Sequence, residues 1–469
     1  MRKTKILCTL GPATESAAGI ATLIAKGADI MRLNMSHASH DWVRTVYSHV
    51  REAAKSVGRE IGVLMDLTGP SIRTGDVEQP WQLNVGDEVE FRCTPEFQPT
   101  TKYSCTVNYP ELGKDLKAGD IILIDGGMIQ VKATTVTPKH VVSTVLTQGE
   151  MKSRRHINLP GVDVRLPPLT KKDYADLDLG VELGVDYFAL SFAREPGHIQ
   201  HLNLLLEQKG SKARVIAKIE NQQALKNIDT LVEASGGIMI ARGDLGSECP
   251  IEDLPLIQRQ IVERCSFHGR KVIVATQMLE SMIENPVPTR AEVTDIFNAV
   301  IEQVDCVMLS GETSVGRYPD KCVEILDNVI RRIEDKYPSG RFASDAPLKT
   351  NKHKTVKAAI LLANSIPGSK LLVFTLRGVM AHLLAHQRPE FAPIFAFTPK
   401  LHVSRALVSA RGVQPYVMEF AEGQPDKSIR DAIAMLHQHG LVKRGDPLVI
   451  LSDALYDGTN VDAILLQEA

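Results

Sequence analysis

Two short polar segments follow apolar runs in the middle of the chain, and both carry groups that can bind a cation and an anion. Lys218 and Glu220 close one such run, and Arg242 and Asp244 follow the next. Residues i and i+2 of a strand share a face, so each pair is predicted to project in one direction. Two carboxylates beside a lysine suit a hard divalent cation together with a phosphate or carboxylate ligand. For either segment alone, an ordinary ion pair at a strand end is the alternative.

Short apolar runs alternate with stretches of helical pattern through most of the chain. The eight runs are Lys5–Leu10, Asp29–Leu33, Ile61–Met65, Tyr187–Leu190, Arg214–Ile219, Gly237–Ala241, Lys271–Ala275 and Cys306–Leu309. The helical stretches include Ala17–Lys26, Asp41–Val57, Leu254–His268, Thr289–Gln303 and Pro319–Lys336. Unbroken apolar strands between helices are typical of parallel strands buried on both faces. The pattern predicts an α/β protein with a (β/α)8 TIM barrel, and a doubly wound open sheet is the alternative.

Polar residues follow these runs at the predicted carboxyl ends of the strands. They are Arg32, Asn34, Ser36 and His37, then Asp66, Ser191, Lys218 with Glu220, Asp244, Thr276, and Ser310 with Glu312. In a TIM barrel this end carries the active site, and the opposite end serves stability. The sequence therefore predicts one site that gathers residues from several strand ends.

Two further domains are predicted outside the barrel. About 120 residues separate the third and fourth runs, far more than a loop and a helix need. Alternating or β-branched segments within them predict an inserted small β-barrel domain that acts as a lid; they are Gly86–Cys93, Ile121–Ile124, Val131–Val136 and His140–Leu146. A helix at Thr355–Ser365 and strands at Leu371–Phe374, Ile394–Phe397 and Leu448–Leu451 predict a C-terminal α/β domain. The expected boundaries are 1–69 and 166–343 for the barrel, 70–165 for the lid and 344–469 for the third domain.

Composition excludes several classes of function. The chain has 469 residues and a net charge of −2, so no bulk attraction to nucleic acid or to an anionic membrane is expected. Apolar runs of at most about ten residues are too short to span a bilayer, and the first run follows Met1 too closely for a signal peptide. The seven cysteines never have CxxC spacing, which predicts reduced thiols in a cytoplasm. Neither a GxxxxGK[ST] nor a GxGxxG fingerprint is present.

Several longer motifs resemble those of pyruvate kinases, of bacterial type. They are Cys8–Ala13, Met31–His37, Gly69–Gly75, Lys218–Asn221, Ala241–Gly246, Ala275–Met282, Pro288–Val293 and Met308–Thr313. The resemblance runs in order through about residues 2–340, and the remainder matches only in general pattern. It implies a barrel, a β lid and a C-terminal α/β domain in a cytoplasmic homotetramer. It also implies phosphoryl transfer from phosphoenolpyruvate to ADP, which gives pyruvate and ATP in glycolysis.

The resemblance implies roles for the residues at the centre of the predicted site. Lys218 would stabilise the transferring phosphoryl group, and Glu220 and Asp244 would hold Mg²⁺ or Mn²⁺. Backbone N–H groups of Gly243 and Asp244 would bind the substrate carboxylate. Thr276 would contact that carboxylate and help to deliver a proton to the enolate.

The resemblance also implies phosphate, nucleotide and potassium sites. Arg32 and Arg73 would bind phosphates through their planar guanidinium groups. Asn34, His37 and Arg73 would contact the nucleotide. The potassium site would consist of Asn34, Ser36, Asp66 and the carbonyl of Leu67.

Some positions depart from the family pattern. Thr68 and Ser71 stand where relatives carry Lys or Gln and Glu or Lys, respectively, so dependence on potassium stays open. Segment 375–381 lacks most of the hydroxyl donors that hold a sugar phosphate in regulated relatives, although Arg377 remains, and the loop 452–460 looks short. The hypothesis is that fructose-1,6-bisphosphate does not activate this protein.

Two other functions compete with a kinase. One is a non-catalytic sensor of phosphoenolpyruvate or nucleotide, which loss of Lys218 or of a metal carboxylate would favour, yet these groups are present. The other is a different barrel enzyme acting on enolates, such as a phosphoenolpyruvate mutase or a metal-dependent aldolase. Such an enzyme needs neither the lid at 70–165 nor Arg73.

Overall fold

Eight parallel strands close into a barrel in a computed structural model that describes residues 1–338, 347–452 and 463–469. Numbered in chain order with all other strands, they are β1 Lys5–Thr9, β2 Ile30–Asn34, β3 Gly62–Asp66, β13 Tyr187–Leu190, β14 Arg214–Ile219, β15 Gly237–Ala241, β16 Lys271–Ala275 and β17 Cys306–Leu309. Each of these strands pairs with the next barrel strand along the chain, and β17 pairs with β1 to close the barrel. The predicted TIM barrel is confirmed, and the open sheet is wrong.

Helices surround the barrel and begin and end at local capping signals. They are α1 Ala17–Lys26, α2 His40–Val57, α4 Lys171–Leu183, α5 Pro196–Gln208, α6 Gln222–Lys226, α7 Ile228–Ala234, α8 Arg242–Glu248, α9 Leu254–His268, α10 Arg290–Ile301, α11 Gly311–Ser314 and α12 Pro319–Lys336, with 3-10 turns at Ile251–Asp253 and Glu280–Ile283. For example, α10 starts with a capping box between Thr289 and Glu292, and α9 ends at Gly269 in the left-handed conformation. One apolar core fills the space between helices and strands, and a second fills the barrel interior.

The lid is a β domain inserted between β3 and α4. It contains β4 Ile72–Arg73, β5 Trp81–Leu83, β6 Glu88–Arg92, β7 Tyr103–Thr106, α3 Leu112–Asp115, β8 Ile121–Ile124, β9 Ile129–Val136, β10 His140–Val145, β11 Gly149–Met151 and β12 His156–Asn158. Seven strands form one sheet in the order β4-β12-β8-β9-β10-β6-β7, and a bridge between Thr74 and Val107 joins its two ends. The lid has its own apolar core. The strands β4, β5, β7, β11 and β12 are not predicted from the sequence, because each has only two to four residues and no continuous apolar run.

The C-terminal domain is an α/β sheet with helices on both faces. It contains α13 Asn351–Ser365, β18 Lys370–Phe374, α14 Val379–His386, β19 Ile394–Thr398, α15 Leu401–Leu407, β20 Val413–Val417, α16 Pro425–Gln438, β21 Pro447–Ser452 and β22 Ala463–Glu468. The order is β20-β19-β18-β21-β22, and only the pairing of β22 with β21 is antiparallel. The expected boundary near residue 343 and the loop after Ser452 lie outside the described residues.

The amino ends of the barrel strands rest on this domain. Tyr187 Oη donates to the carbonyls of Arg405 and Ala406, and Lys271 Nζ donates to Ser409 Oγ at 2.7 Å. The carboxyl ends therefore point away from the C-terminal domain and are available to the lid. Among the described helices, none has the length and apolar content that a transmembrane span requires.

Candidate active site

Lys218 stands at the centre of the site, near the end of β14. Its Nζ lies 2.9 Å from Glu220 Oε1 and 3.3 Å from Asp66 Oδ1, and it donates to Ser191 Oγ at 2.7 Å. Burial lowers the pKa of Lys218, but the two carboxylates outweigh it, so the net pKa lies above the ordinary value. Lys218 is therefore a permanent buried cation, and its predicted pairing with Glu220 on one face is confirmed.

Asp66 on β3 joins Lys218 on β14 to Arg32 on β2. Arg32 Nη2 lies 2.6 Å from Asp66 Oδ2, and Arg32 Nη1 donates to Thr9 Oγ1 at 3.0 Å. Burial raises the pKa of Asp66, yet Lys218 and Arg32 together bring it below its usual range. The carboxylate therefore holds both cations in the orientation in which they face the site.

Glu220 and Asp244 form a pair of like-charged groups. Burial raises the pKa of Glu220, and Asp244 raises it further, although Lys218 acts against both. Partial burial also raises the pKa of Asp244, whose side chain is 43% exposed. A divalent cation between the two carboxylates would relieve this repulsion, so these residues fit Mg²⁺ or Mn²⁺.

No third histidine, cysteine or carboxylate completes a metal cage in the part of the chain that the structure describes. Mg²⁺ in phosphoryl-transfer enzymes usually takes one or two carboxylates and completes its shell with substrate oxygens and water. The pair Glu220 and Asp244 is therefore a site for a cation that arrives with substrate.

Arg242 contradicts the sequence prediction that it projects with Asp244 from a strand. Strand β15 ends at Ala241, and Arg242 begins α8, so a period of two does not apply. The guanidinium turns away to the carbonyl of Thr276 at 2.6 Å and to Asp295 at 2.7 Å. Arg242 thus fixes the loop after β16 and does not face the cation pair.

Thr276 and Gly243 meet where β16 and β15 end. The N–H of Gly243 donates to Thr276 Oγ1 at 2.9 Å, and this hydroxyl donates to the carbonyl of Ala275 at 2.6 Å. Thr276 has a φ of 68°, an unusual conformation for a β-branched residue. Strain of this kind concentrates at functional sites, and here it places the hydroxyl beside the first turn of α8.

The lid contributes Arg73 and His156, which are partners across β4 and β12. Arg73 is exposed, and its Nε donates to Ser71 Oγ at 3.2 Å. His156 Nδ1 lies 4.0 Å from Asp244 Oδ1, and burial together with Arg73 lowers the pKa of His156 to about 4. Sequence reasoning missed His156 because no motif around it signals a contact with the barrel.

The residues expected around potassium and nucleotide surround the ends of β2 and β3. Asn34 and Asp66 are register partners, and Asn34 Oδ1 accepts the N–H of Ser36 at 3.3 Å. Ser36 and His37 are exposed, and the carbonyl of Leu67 accepts Ser191 Oγ at 2.7 Å. Asn34, Asp66 and Leu67 therefore lie together at the ends of β2 and β3, and a potassium site that includes Ser36 stays a prediction.

Thr68 and Glu312 lie just beyond the ends of β3 and β17. Thr68 Oγ1 is buried, and no group among the described residues bonds to it. Glu312 is fully buried, and its carboxylate accepts the N–H groups of Leu279 and Ser310. Glu312 therefore holds the loops after β16 and β17 together and does not face the cation pair.

Comparison with known proteins decides the family. A family model described as "Pyruvate kinase, barrel domain" matches residues 1–323, and one described as "Pyruvate kinase, alpha/beta domain" matches residues 353–464. The chain belongs to the pyruvate kinase family. It is therefore a phosphotransferase whose substrates are phosphoenolpyruvate and ADP, and the family is generally metal-dependent.

Individual relatives agree over almost the whole chain. Plastidial pyruvate kinase 2 of Arabidopsis thaliana is 39% identical over 454 residues, which cover 96% of this chain and 78% of the relative. A pyruvate kinase of Geobacillus stearothermophilus is 37% identical, with coverage of 96% and 77%. The crystal structure of a pyruvate kinase from Cryptosporidium parvum superposes with a TM-score of 0.94 at 31% identity, and the match covers 100% of this chain and 96% of that one.

Proposed function

We propose that phosphoryl transfer takes place at the carboxyl ends of β14, β15 and β16, around Lys218, Glu220 and Asp244. The observation that carries this proposal is a buried ammonium group beside two carboxylates that repel each other. Phosphoryl transfer requires alignment and neutralisation of charge more than it requires a protein nucleophile. Lys218 neutralises the phosphoryl group as it leaves phosphoenolpyruvate, and Arg32 binds its oxygens from β2.

The divalent cation and the carboxylate group of the substrate both bind at α8. Glu220 and Asp244 hold Mg²⁺ or Mn²⁺, which supplies positive charge to the phosphoryl oxygens when bound. The N–H groups of Gly243 and Asp244 bind the carboxylate, which replaces Thr276 Oγ1 as the acceptor of the Gly243 N–H. Because the Gly243 N–H already contacts Thr276 Oγ1, the hydroxyl lies beside the enolate and helps to bring the proton that converts it to pyruvate.

The nucleotide binds between lid and barrel, where Arg73, Asn34 and His37 contact ADP. A potassium ion binds to Asn34, Ser36, Asp66 and the carbonyl of Leu67. The buried hydroxyl of Thr68, next to Leu67 in the chain, has no hydrogen-bond partner within the described ranges, which supports a polar ion site at this position. Ser71 brings neither the carboxylate nor the ammonium of relatives to the site, so the response to K⁺ needs direct measurement.

The domain boundaries and assembly belong to the same proposal: barrel at 1–69 and 166–343, lid at 70–165, and third domain at 344–469, in a homotetramer. Two faces support association of copies. Ile251, Leu256 and Val287 are more than half exposed near the catalytic end, and Leu466 is exposed on β22, which ends its sheet. All seven cysteines are free, which supports a cytoplasmic location.

The test measures pyruvate formation from phosphoenolpyruvate and ADP by the full chain, with and without Mg²⁺ and with and without K⁺. The wild type should turn over only with a divalent cation, and Lys218→Met should lose activity while it remains folded. The K⁺ comparison then shows whether Ser71 and Thr68 sustain a potassium site. A Lys218→Met variant as active as the wild type would overturn the proposed site. A folded wild type that binds phosphoenolpyruvate without turnover would favour the sensor.

A further inference from the structure

The last strand of the lid lies along α8 and contacts it at both ends. His156 and Asn158 share one face of β12, because they are two residues apart. Asp244 and Glu248 share one face of α8, because they are four residues apart. His156 Nδ1 is 4.0 Å from Asp244, and Asn158 Nδ2 donates to Glu248 Oε1 at 3.2 Å. The helix that carries a cation-binding carboxylate is therefore also the element on which the lid is seated.

Glu248 is a buried carboxylate that contacts no cationic group among the residues that the structure describes. Burial raises its pKa, and only neutral donors act against this: the amide of Asn158 and the backbone N–H groups of Leu159 and Gln222. Glu248 is 7% exposed and Asn158 is 5% exposed. A carboxylate held in this way is costly to bury, so the contact needs an explanation beyond stability.

The three donors to Glu248 come from segments that matter to the site. Asn158 and Leu159 belong to the exit of the lid, and Gln222 follows Glu220 by two residues. The side chain of Gln222 also donates to the backbone carbonyl of Glu248. Glu248 thus connects the lid, the segment that carries Glu220 and the helix that carries Asp244.

The side chain of Asn158 uses only part of its hydrogen-bonding capacity in this contact. Asn158 Oδ1 is buried, and no hydrogen-bond partner for it exists among the described residues. It lines a cleft between lid and barrel together with Glu220, Gln222 and Glu248.

We propose that Glu248 is a positioning residue whose contact with Asn158 couples α8 to the lid strand β12 and thereby sets the separation of Glu220 and Asp244. Loss of this contact displaces Glu248 and, through one turn of α8, the carboxylate of Asp244. The cation site then keeps its geometry only while Asn158 and Glu248 remain in contact. This inference rests on the proposed roles of Glu220 and Asp244 as cation ligands.

The test exchanges the amide and the carboxylate of this contact in the full chain and measures Mn²⁺ binding directly by electron paramagnetic resonance. Asn158→Asp places two carboxylates face to face, and the dissociation constant of Mn²⁺ should rise about tenfold, as for other residues that orient metal ligands. The double variant Asn158→Asp/Glu248→Gln restores one carboxylate and one amide and should recover most of this loss. In turnover assays, half-saturation for the cation and phosphoenolpyruvate should change more than kcat. Glu207→Gln, an exposed change at the end of α5, is the matched control.

The inference is overturned if Asn158→Asp binds Mn²⁺ within about twofold of the wild type, or if the double variant binds no better than the single one. Asn158→Ala, which adds no charge, replaces Asn158→Asp with the same expectation if that variant does not fold. Asp244→Asn distinguishes a failure of the proposed cation site from a failure of the proposed coupling. If Asp244→Asn binds Mn²⁺ normally, the assignment of the cation site fails. If it loses Mn²⁺ while Asn158→Asp does not, only the coupling fails.

Discussion

The two ends of the barrel both bury charged side chains, yet they treat them in opposite ways. At the amino end, Asp29 precedes β2 and Asp305 precedes β17, and each accepts a backbone N–H of an adjacent strand. Asp29 is paired with Arg2 at 2.7 Å, and Asp305 is paired with Arg388 at 2.8 Å. Burial alone would raise the pKa of each aspartate, but these cations lower it to about 2.

At the carboxyl end, nearby cations do not fully neutralise the buried carboxylates. Burial raises the pKa of Glu220 and of Asp244, and Lys218 is shared between Glu220 and Asp66. Pairs that lower a carboxylate pKa stabilise the fold, whereas pairs that raise it store an electrostatic cost that a ligand can relieve. The charges at the amino end therefore stabilise the barrel, whereas those at the carboxyl end are available to bind a cation and a phosphate.

A matched pair of lysines should give the largest contrast. Lys218→Met removes the ammonium at the carboxyl end, and kcat should fall by about 10²–10³-fold or more because a preorganised charge is lost. Lys271→Met removes a buried ammonium at the amino end, where it bonds to Ser409 and the Ala406 carbonyl, and kcat should stay within about twofold. Steady-state kinetics with thermal unfolding of both variants checks this. Equal losses of kcat in Lys218→Met and Lys271→Met would contradict the proposed difference between the two ends of the barrel.

A pair of isosteric carboxylate changes should separate stability from activity. Asp305→Asn leaves Arg388 unpaired and should lower the free energy of unfolding by about 3–5 kcal/mol. Glu220→Gln removes a carboxylate that Asp244 repels, so stability should be unchanged or higher while turnover is lost. Guanidinium chloride unfolding beside the activity assay measures both effects. A Glu220→Gln variant as destabilised as Asp305→Asn would show that both ends serve the fold.

Acid should weaken the amino end first. The pKa values of Asp29 and Asp305 are about 2 in the fold against an ordinary 3.8, so the unfolded chain binds more protons in this range. Their stabilisation is fully present above about pH 4 and is lost as the pH falls toward 2, by roughly 2 kcal/mol each. Unfolding measured between pH 5 and 2.5 should show this loss, and Asp305→Asn should reduce it. An unchanged pH dependence in that variant would contradict the assignment.

The smallest effect is expected from fructose-1,6-bisphosphate. Thr375 Oγ1 accepts the N–H of Gly378, and Arg377 is the one cationic residue in the sequence of segment 375–381, so this segment has few groups that could hold a sugar phosphate. Half-saturation for phosphoenolpyruvate should therefore stay the same when the sugar bisphosphate is added. A clear decrease would show that the loop still binds this effector.

The pairing of Lys218 with Glu220 was predictable because it depends on two residues of one strand. The same reasoning was wrong for Arg242, since the chain changes there from strand to helix and the guanidinium finds carbonyl partners 33 and 34 residues away. His156 and Glu248 were not predicted as site residues. Their contacts join the lid to α8 across about 90 residues of chain, and no local period reports such a distance.

The sequence by itself determined the eight strands, the helices between them, the inserted lid and the polar residues at the strand ends, because these follow from local periodicity and short motifs. The tertiary structure alone decided which buried charges are neutralised and which are left in conflict. Asp29, Asp305, Glu220 and Asp244 are all carboxylates beside barrel strands. Their roles differ because burial and the distance to a distant arginine, lysine or carboxylate set the electrostatic free energy of each group.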